Sequence, residues 1–186
     1  MNEYQNYLVK IRGFKDFNEY KRNKNHESGR SQSMSENKEC SSYLGVNIGE
    51  KYLSKIWDKL IRMPYGNKGF DWLCGKGLKI QGKTACISNS KIISTNGCEN
   101  HYDVFNFDIN KNKIADYFLL LAFDNRIDLN PLHIWLIKGT EIIGNRKFND
   151  KQTFKIFNTK KSLSKYKKYE LTDKLEHLKE CCNSIK

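Results

Sequence analysis

The chain lacks most of the features that would place it quickly. No apolar run approaches the roughly 20 residues that span a bilayer, so no membrane partner is expected. The opening stretch MNEYQNYLVKIRGF has none of the apolar core that a secretory signal carries, and the expected location is cytoplasmic. Six cysteines are present, Cys40, Cys74, Cys86, Cys98, Cys181 and Cys182, but no C-x-x-C pair. That spacing argues against a zinc finger, and a chain without a secretory signal has little use for disulfides. Cys74 and Cys86 are expected as small buried residues. No Gly-rich phosphate loop, G-x-S-x-G or H-E-x-x-H occurs. The four histidines, His26, His101, His133 and His177, are scattered. His133 falls inside a strand-like run and reads as a satisfied core residue, not a ligand. No internal repeat is visible.

Negative charge is also scarce. Against 33 Lys and Arg stand 21 Asp and Glu, a net charge of +12. Such a surplus favours a polyanionic partner: DNA, RNA or an anionic membrane surface. A lysine-rich proteome produces the same surplus, so charge alone leaves the partner open.

What is present suits one domain with extensions. A chain of 186 residues, 38% of them hydrophobic, is long enough to bury a core. Residues 1–40 read as a basic N-terminal arm, in which Arg22, Lys24 and Arg30 either hold phosphates or belong to a solvated tail. Residues 41–140 form the core unit. Residues 141–186 form a basic C-terminal extension ending in a helix around Leu171, Leu175 and Leu178, with Lys160 and Lys161 as further phosphate contacts.

Within 41–63, SSYLGVNIGEKYLSKIWDKLIRM repeats Val46, Glu50, Leu53, Trp57 and Leu60 at three- and four-residue steps, which predicts a helix. Glu50 lies on its apolar stripe. A carboxylate there needs a partner such as a cation or a metal, or sits near the helix start where negative charge is mildly favourable. FDWLC and LKIQGKTAC then flank Gly75-Lys76-Gly77 and predict a hairpin. A second hairpin or a long loop should follow, with its turn near Asn96-Gly97, and VFNFDI alternates as a strand. YFLLLAF and LHIWLIKG are apolar on both faces, the mark of buried central strands. The expected class is α/β or α+β, with a mixed sheet.

A turn centred on Lys76 sets Leu73 against Lys79 and Asp71 against Gln81, with Lys83 one pleat further on the Gln81 face. An acid oxygen, an amide oxygen and an ammonium would then share one patch. Mg²⁺ takes oxygen ligands, and a lysine beside it serves phosphodiester hydrolysis. Gly82 would let a ligand backbone approach closely. An ordinary solvated hairpin carries such pairs as well.

Asp71, nine intervening residues and Gln81-Gly82-Lys83 resemble the motif of the PD-(D/E)xK nuclease superfamily, and the strings around it resemble a microbial and phage branch of that superfamily over residues 40–140. The resemblance implies a restriction-endonuclease-like αβββαβ core, a mixed central sheet flanked by helices, and Mg²⁺- or Mn²⁺-dependent cleavage of double-stranded DNA. It implies Asp71 as a metal ligand, Gln81 at the second, usually acidic, position, Lys83 as the motif lysine and Glu50 as the helix glutamate completing the metal site. Lys76 and Lys79 would meet DNA beside them. Asp116 and Asn125 lie in a matching downstream block and are expected to be structural. Gln81 departs from the acidic pattern by one negative charge; active branches with a Gln-x-Lys version, among them methylation-dependent type IV restriction enzymes, resemble it. A monomer that nicks and a homodimer that cuts both strands are both compatible with the sequence. So is a DNA-binding protein that kept the fold and lost the chemistry at Gln81, or a small interaction protein whose charge is only compositional bias.

Overall fold

The structure, a computed structural model, describes residues 6, 9, 15–19, 43–64, 67, 69–93, 95–109, 115–124, 131–143 and 153–171. At its centre lies β5 (Tyr117–Phe123), every residue of which is buried. Seven consecutive apolar side chains leave neither face of a strand fit for water, so both faces must be covered. On one side β5 pairs in parallel with β3 (Lys79–Ile93), with Ile80 opposite Tyr117 and Cys86 opposite Phe123. On the other it pairs antiparallel with β6 (His133–Lys138).

β3 is shared between two parts of one seven-stranded mixed sheet. Its first half also pairs with β2 (Trp72–Cys74), which in turn pairs with β1 (Leu60–Arg62). Its second half leaves β5 and pairs with β4 (Glu99–Asp108), and β4 carries β7 (Thr153–Phe157) at its outer side. β7 comes from beyond residue 140, so the sheet draws on both the core stretch and the C-terminal stretch.

Two apolar layers hold the sheet. On one face Trp72, Ile80, Leu119 and Leu121 pack with Ile48, Leu53, Ile56 and Trp57. These come from a π-helical segment, Tyr43–Ile48, that runs into helix α1 (Gly49–Leu53), and from the turn after it. On the other face Phe118, Leu120, Trp135 and Ile137 pack with Phe105, Phe107, Phe154 and Ile156. The β4–β7 part therefore curls over β5 and β6; Trp135 meets Phe105 and Phe107 edge-on at 6.1 and 6.3 Å. Ile142 of α2 (Gly139–Ile143) and Leu163 and Tyr166 of α3 (Lys160–Tyr166) close this layer. The fold is thus a mixed α/β arrangement, a central multi-stranded sheet flanked by helices.

Both hairpins form, the first with Leu73 opposite Lys79 and the second turning at Gly97, which takes φ +81°. The long helix over 41–63 does not form. Helix α1 ends at Leu53; a turn then keeps Ile56 and Trp57 on the core through the Trp57 N–H to Leu53 carbonyl bond at 3.0 Å. Leu60–Arg62 instead forms β1 on the open edge of β2. The three- and four-residue spacing of Leu53 and Trp57 survives because both still face the core; Leu60 belongs to the pleated register of a strand. The basic stretch after 150 also differs from a plain extension, since TFKIF is a strand and KKSLSKY a helix capped by Thr159, whose hydroxyl accepts the Ser162 N–H. The helix expected around Leu175 and Leu178 lies outside the described residues, as does most of the 1–40 arm.

Among the described residues no helix is long and apolar enough to cross a membrane.

Candidate active site at the first hairpin

Asp71 sits where the β2–β3 ladder ends, and it is fastened on three sides. Its N–H donates to the Ile80 carbonyl (2.8 Å), its carbonyl accepts the Met63 N–H (2.9 Å), and its carboxylate Oδ2 accepts the Gly82 N–H (2.8 Å). The side chain thus replaces the next backbone acceptor of the ladder and brackets Gln81 from the residues on either side. Burial pushes the Asp71 carboxyl above the ordinary carboxylate range. The Gly82 N–H, Lys83 and Arg62 pull it back down, in that order. Burial beside a specific charge partner, here Lys83, is an arrangement that functional carboxylates share with structural ion pairs.

Gln81 adds a second unusual oxygen. Its Oε1 is buried and has no hydrogen-bond partner. Buried acceptors without a donor are uncommon and mark a missing water, ion or ligand. Asp71 and Gln81 therefore offer one carboxylate oxygen and one amide oxygen to any hard cation, which is the donor chemistry Mg²⁺ or Mn²⁺ takes. Lys83, half-buried on the same strand two residues on, is close enough to act on the Asp71 carboxylate.

Glu50 lies in the first turn of α1 and has a cation for a partner, Arg62. Its Oε2 lies 3.6 Å from Arg62 Nη1, and both side chains are partly exposed. Arg62 Nη1 also donates to Asn47 Oδ1 at 2.9 Å. Arg62 thus stands between the two acids, held by Glu50 and felt by Asp71. Sequence reasoning missed it by assigning Arg62 to a helix; the short Leu60-Ile61-Arg62 strand carries no strong signal of its own. Among the described residues no group of three or more His, Cys, Asp or Glu side chains converges as a metal site, and Asp71 is the one carboxylate in the stretch from Gly69 to Cys86.

Gly82 has a different use from the one expected. A Cβ there would lie 2.8 Å from Trp72 Cη2 and 2.9 Å from the Gly45 carbonyl oxygen. The glycine serves the close crossing of the π-helical segment over β3, so its open side belongs to the fold and not to a ligand. Asp116 is structural as expected: its Oδ2 accepts the Lys79 N–H at 2.8 Å and its carbonyl the Gly139 N–H at 2.8 Å. Asn125 lies outside the described residues.

His133 is a satisfied residue. Its ring stacks on Trp135 at 5.0 Å, and its Nδ1–H donates to Glu170 Oε1 at 2.5 Å. A carboxylate only accepts, which fixes that tautomer.

The basic residues fall into two groups. Lys76, in the hairpin turn, and Lys79, whose Nζ lies 5.6 Å above the Phe70 ring, are exposed beside the site. Lys160 and Lys161 are exposed at the start of α3, near the far end of β3. Arg22, Lys24 and Arg30 lie outside the described residues.

No family model matches this chain, and no curated protein matches it.

Proposed function

We propose that the protein is a metal-dependent endonuclease acting on DNA, built on a restriction-endonuclease-like core, with its reacting site at the first hairpin. One observation carries this above the others: a buried, donor-less amide oxygen on Gln81 stands next in the chain to Gly82, whose N–H holds the half-buried Asp71 carboxylate. A purely structural hairpin gains nothing from that pairing, whereas a cation satisfies both oxygens at once.

Asp71 and Gln81 would hold Mg²⁺ or Mn²⁺, which supplies charge for the phosphate and lowers the pKa of a water. The chain's own residues do the rest. The Gly82 N–H fixes Oδ2 and so aims Oδ1. Lys83 puts an ammonium beside the carboxylate, where it offsets negative charge building on a phosphate oxygen. Arg62 holds Glu50 away, so Glu50 joins the cation only by releasing Arg62. The hairpin lysines, Lys76 and Lys79, meet the phosphate backbone and give affinity without sequence choice.

A second reading follows from the lone carboxylate at the hairpin. A DNA-binding protein that kept this fold and lost the chemistry would have the same charge and a weak cation site. Plasmid cleavage separates the two. Wild-type protein in Mg²⁺ or Mn²⁺ should nick or linearise plasmid, EDTA should stop it, and Asp71→Ala and Lys83→Ala should abolish it while keeping the fold. Salt-sensitive binding without cleavage in either metal favours the second reading. Full activity in Asp71→Ala removes the hairpin from the chemistry.

A further inference from the structure

At the far end of β3, up to roughly 36 Å along the strand from Gln81 at about 3.3 Å per residue, the surface opens into a groove of about 370 Å³. Its apolar wall comes from the β3–β4 hairpin and β7: Ile92, Tyr102 and Phe157. Its other wall is α3, which contributes Lys161 and Lys165. Tyr102 and Phe157 meet edge to face, 6.0 Å apart at 80°.

This end of the molecule is unusually apolar for a surface. Of the five large hydrophobic residues exposed among the described residues, three are here: Ile92, Ile93 and Tyr102. It is also strongly cationic. From residue 151 to 169 the chain carries seven lysines and no acidic residue. Lys161 and Lys165 are one helical turn apart, on neighbouring positions of one face, and neither forms an ion pair with a carboxylate among the described residues. An acidic protein segment would meet the lysines but offers no flat π-surface to the aromatic wall. A nucleic acid offers both.

We propose that this groove binds a single strand of nucleic acid, a base stacking on Tyr102 while adjacent phosphates meet Lys161 and Lys165. The preference for a single strand follows from the wall. A ring reaches a base face only when that base is unstacked from its neighbours, which a duplex does not allow. The groove is a separate subsite and does not depend on the hairpin chemistry.

The test is fluorescence anisotropy with labelled dT12 in EDTA, so that no cleavage intrudes, using full-length protein. A matched rU12 and a dT12·dA12 duplex serve as comparisons. Wild type should bind dT12, rU12 or both more tightly than the duplex. Tyr102→Ala should weaken single-strand binding on the order of tenfold, the loss expected for one stacked base. Tyr102→Phe should retain it, since the π-face remains. The Lys161→Ala/Lys165→Ala pair should flatten the salt dependence by about 1.4, at roughly 0.7 per phosphate contact on a single strand. Equal affinity for the duplex, or unchanged binding in both Tyr102→Ala and the lysine pair, overturns the proposal. Because the readout is binding without metal, loss of cleavage in Asp71→Ala with an indifferent groove sinks only the groove, and a working groove without cleavage sinks only the nuclease.

Discussion

Replacing Gln81 by Met probes the donor-less oxygen directly. Met is unbranched and close to Gln in length, so the site keeps its filling while the amide is removed. A buried acceptor with no donor costs about 1–3 kcal/mol. Gln81 as a whole is only half-buried, so the lower end applies, and the variant should gain about 1 kcal/mol. For a chain of this size that shifts Tm upward by about 2–4 °C. The assay is calorimetry at neutral pH, first in EDTA and then in excess MgCl₂. In EDTA, Gln81→Met should melt above wild type. In MgCl₂ the wild type should rise, because a ligand that binds only the folded state stabilises it by mass action, and the variant should rise much less. A stabilising substitution that removes the cation response is the signature of an oxygen kept for a ligand. If Gln81→Met melts below wild type in EDTA, the oxygen already has a partner in the folded chain and the reasoning fails. An equal magnesium response in both proteins refutes it as surely.

Three further outcomes are expected. Burial raises the Asp71 carboxyl, so the folded chain keeps that proton to a higher pH than the unfolded chain; the stability this group contributes is present below the unfolded value of about 3.9 and is lost as pH rises from there through the raised folded value. Asp71→Asn should therefore be more stable than wild type at neutral pH, with the difference vanishing in acid, and denaturant curves across pH that show a neutral-pH loss would contradict this. Gly82→Ala forces a methyl against Trp72 and the Gly45 carbonyl and should cost about 1–3 kcal/mol, seen as a lower Tm; an unchanged Tm would mean the crossing is looser than described. Arg62→Ala removes one of the charges that pull the Asp71 pKa down, so the Asp71 carboxyl should titrate at higher pH by carbon-detected NMR, and an unmoved midpoint would place Arg62 outside the site.

Much of the sheet was legible because its signals are strong and local. YFLLLAF has no face fit for water, and the burial of all seven residues of β5 follows from that. Gly75-Lys76-Gly77 and Asn96-Gly97 mark turns by conformation, and Gly77 and Gly97 take positive φ as such turns require. The failures share one cause, which is that periodicity does not say where a short element stops. Leu53, Trp57 and Leu60 keep helical spacing across the end of α1, yet Leu60 belongs to β1 because β2 offers an open edge there. β7 went unseen since TFKIF is five residues inside a lysine-rich stretch, and only its pairing with β4 makes it a strand.

The site was legible in part. The register of Leu73 and Lys79 follows from the turn, and the structure keeps it; the ladder ends at Trp72 and Ile80, and Asp71 bonds to the Ile80 carbonyl and the Gly82 N–H. The role of Gly82 was not legible, since the chain that crosses it comes from Gly45, more than thirty residues away. Arg62 could not be placed without β1, and it changes what Glu50 does. The groove at Tyr102 and Lys161 joins residues from β4 and α3 that no local pattern connects.

Direct cation binding tests the central claim most closely. Mn²⁺ titrated into the full-length protein and followed by electron paramagnetic resonance reports bound and free metal without any need for a DNA substrate. Wild type should bind one Mn²⁺ per chain that Mg²⁺ displaces. Asp71→Ala and Gln81→Met should each lose or greatly weaken that binding, while Lys161→Ala should not. If wild type and Asp71→Ala bind Mn²⁺ alike, or if neither binds, the hairpin is not a cation site and the nuclease assignment loses its chemistry.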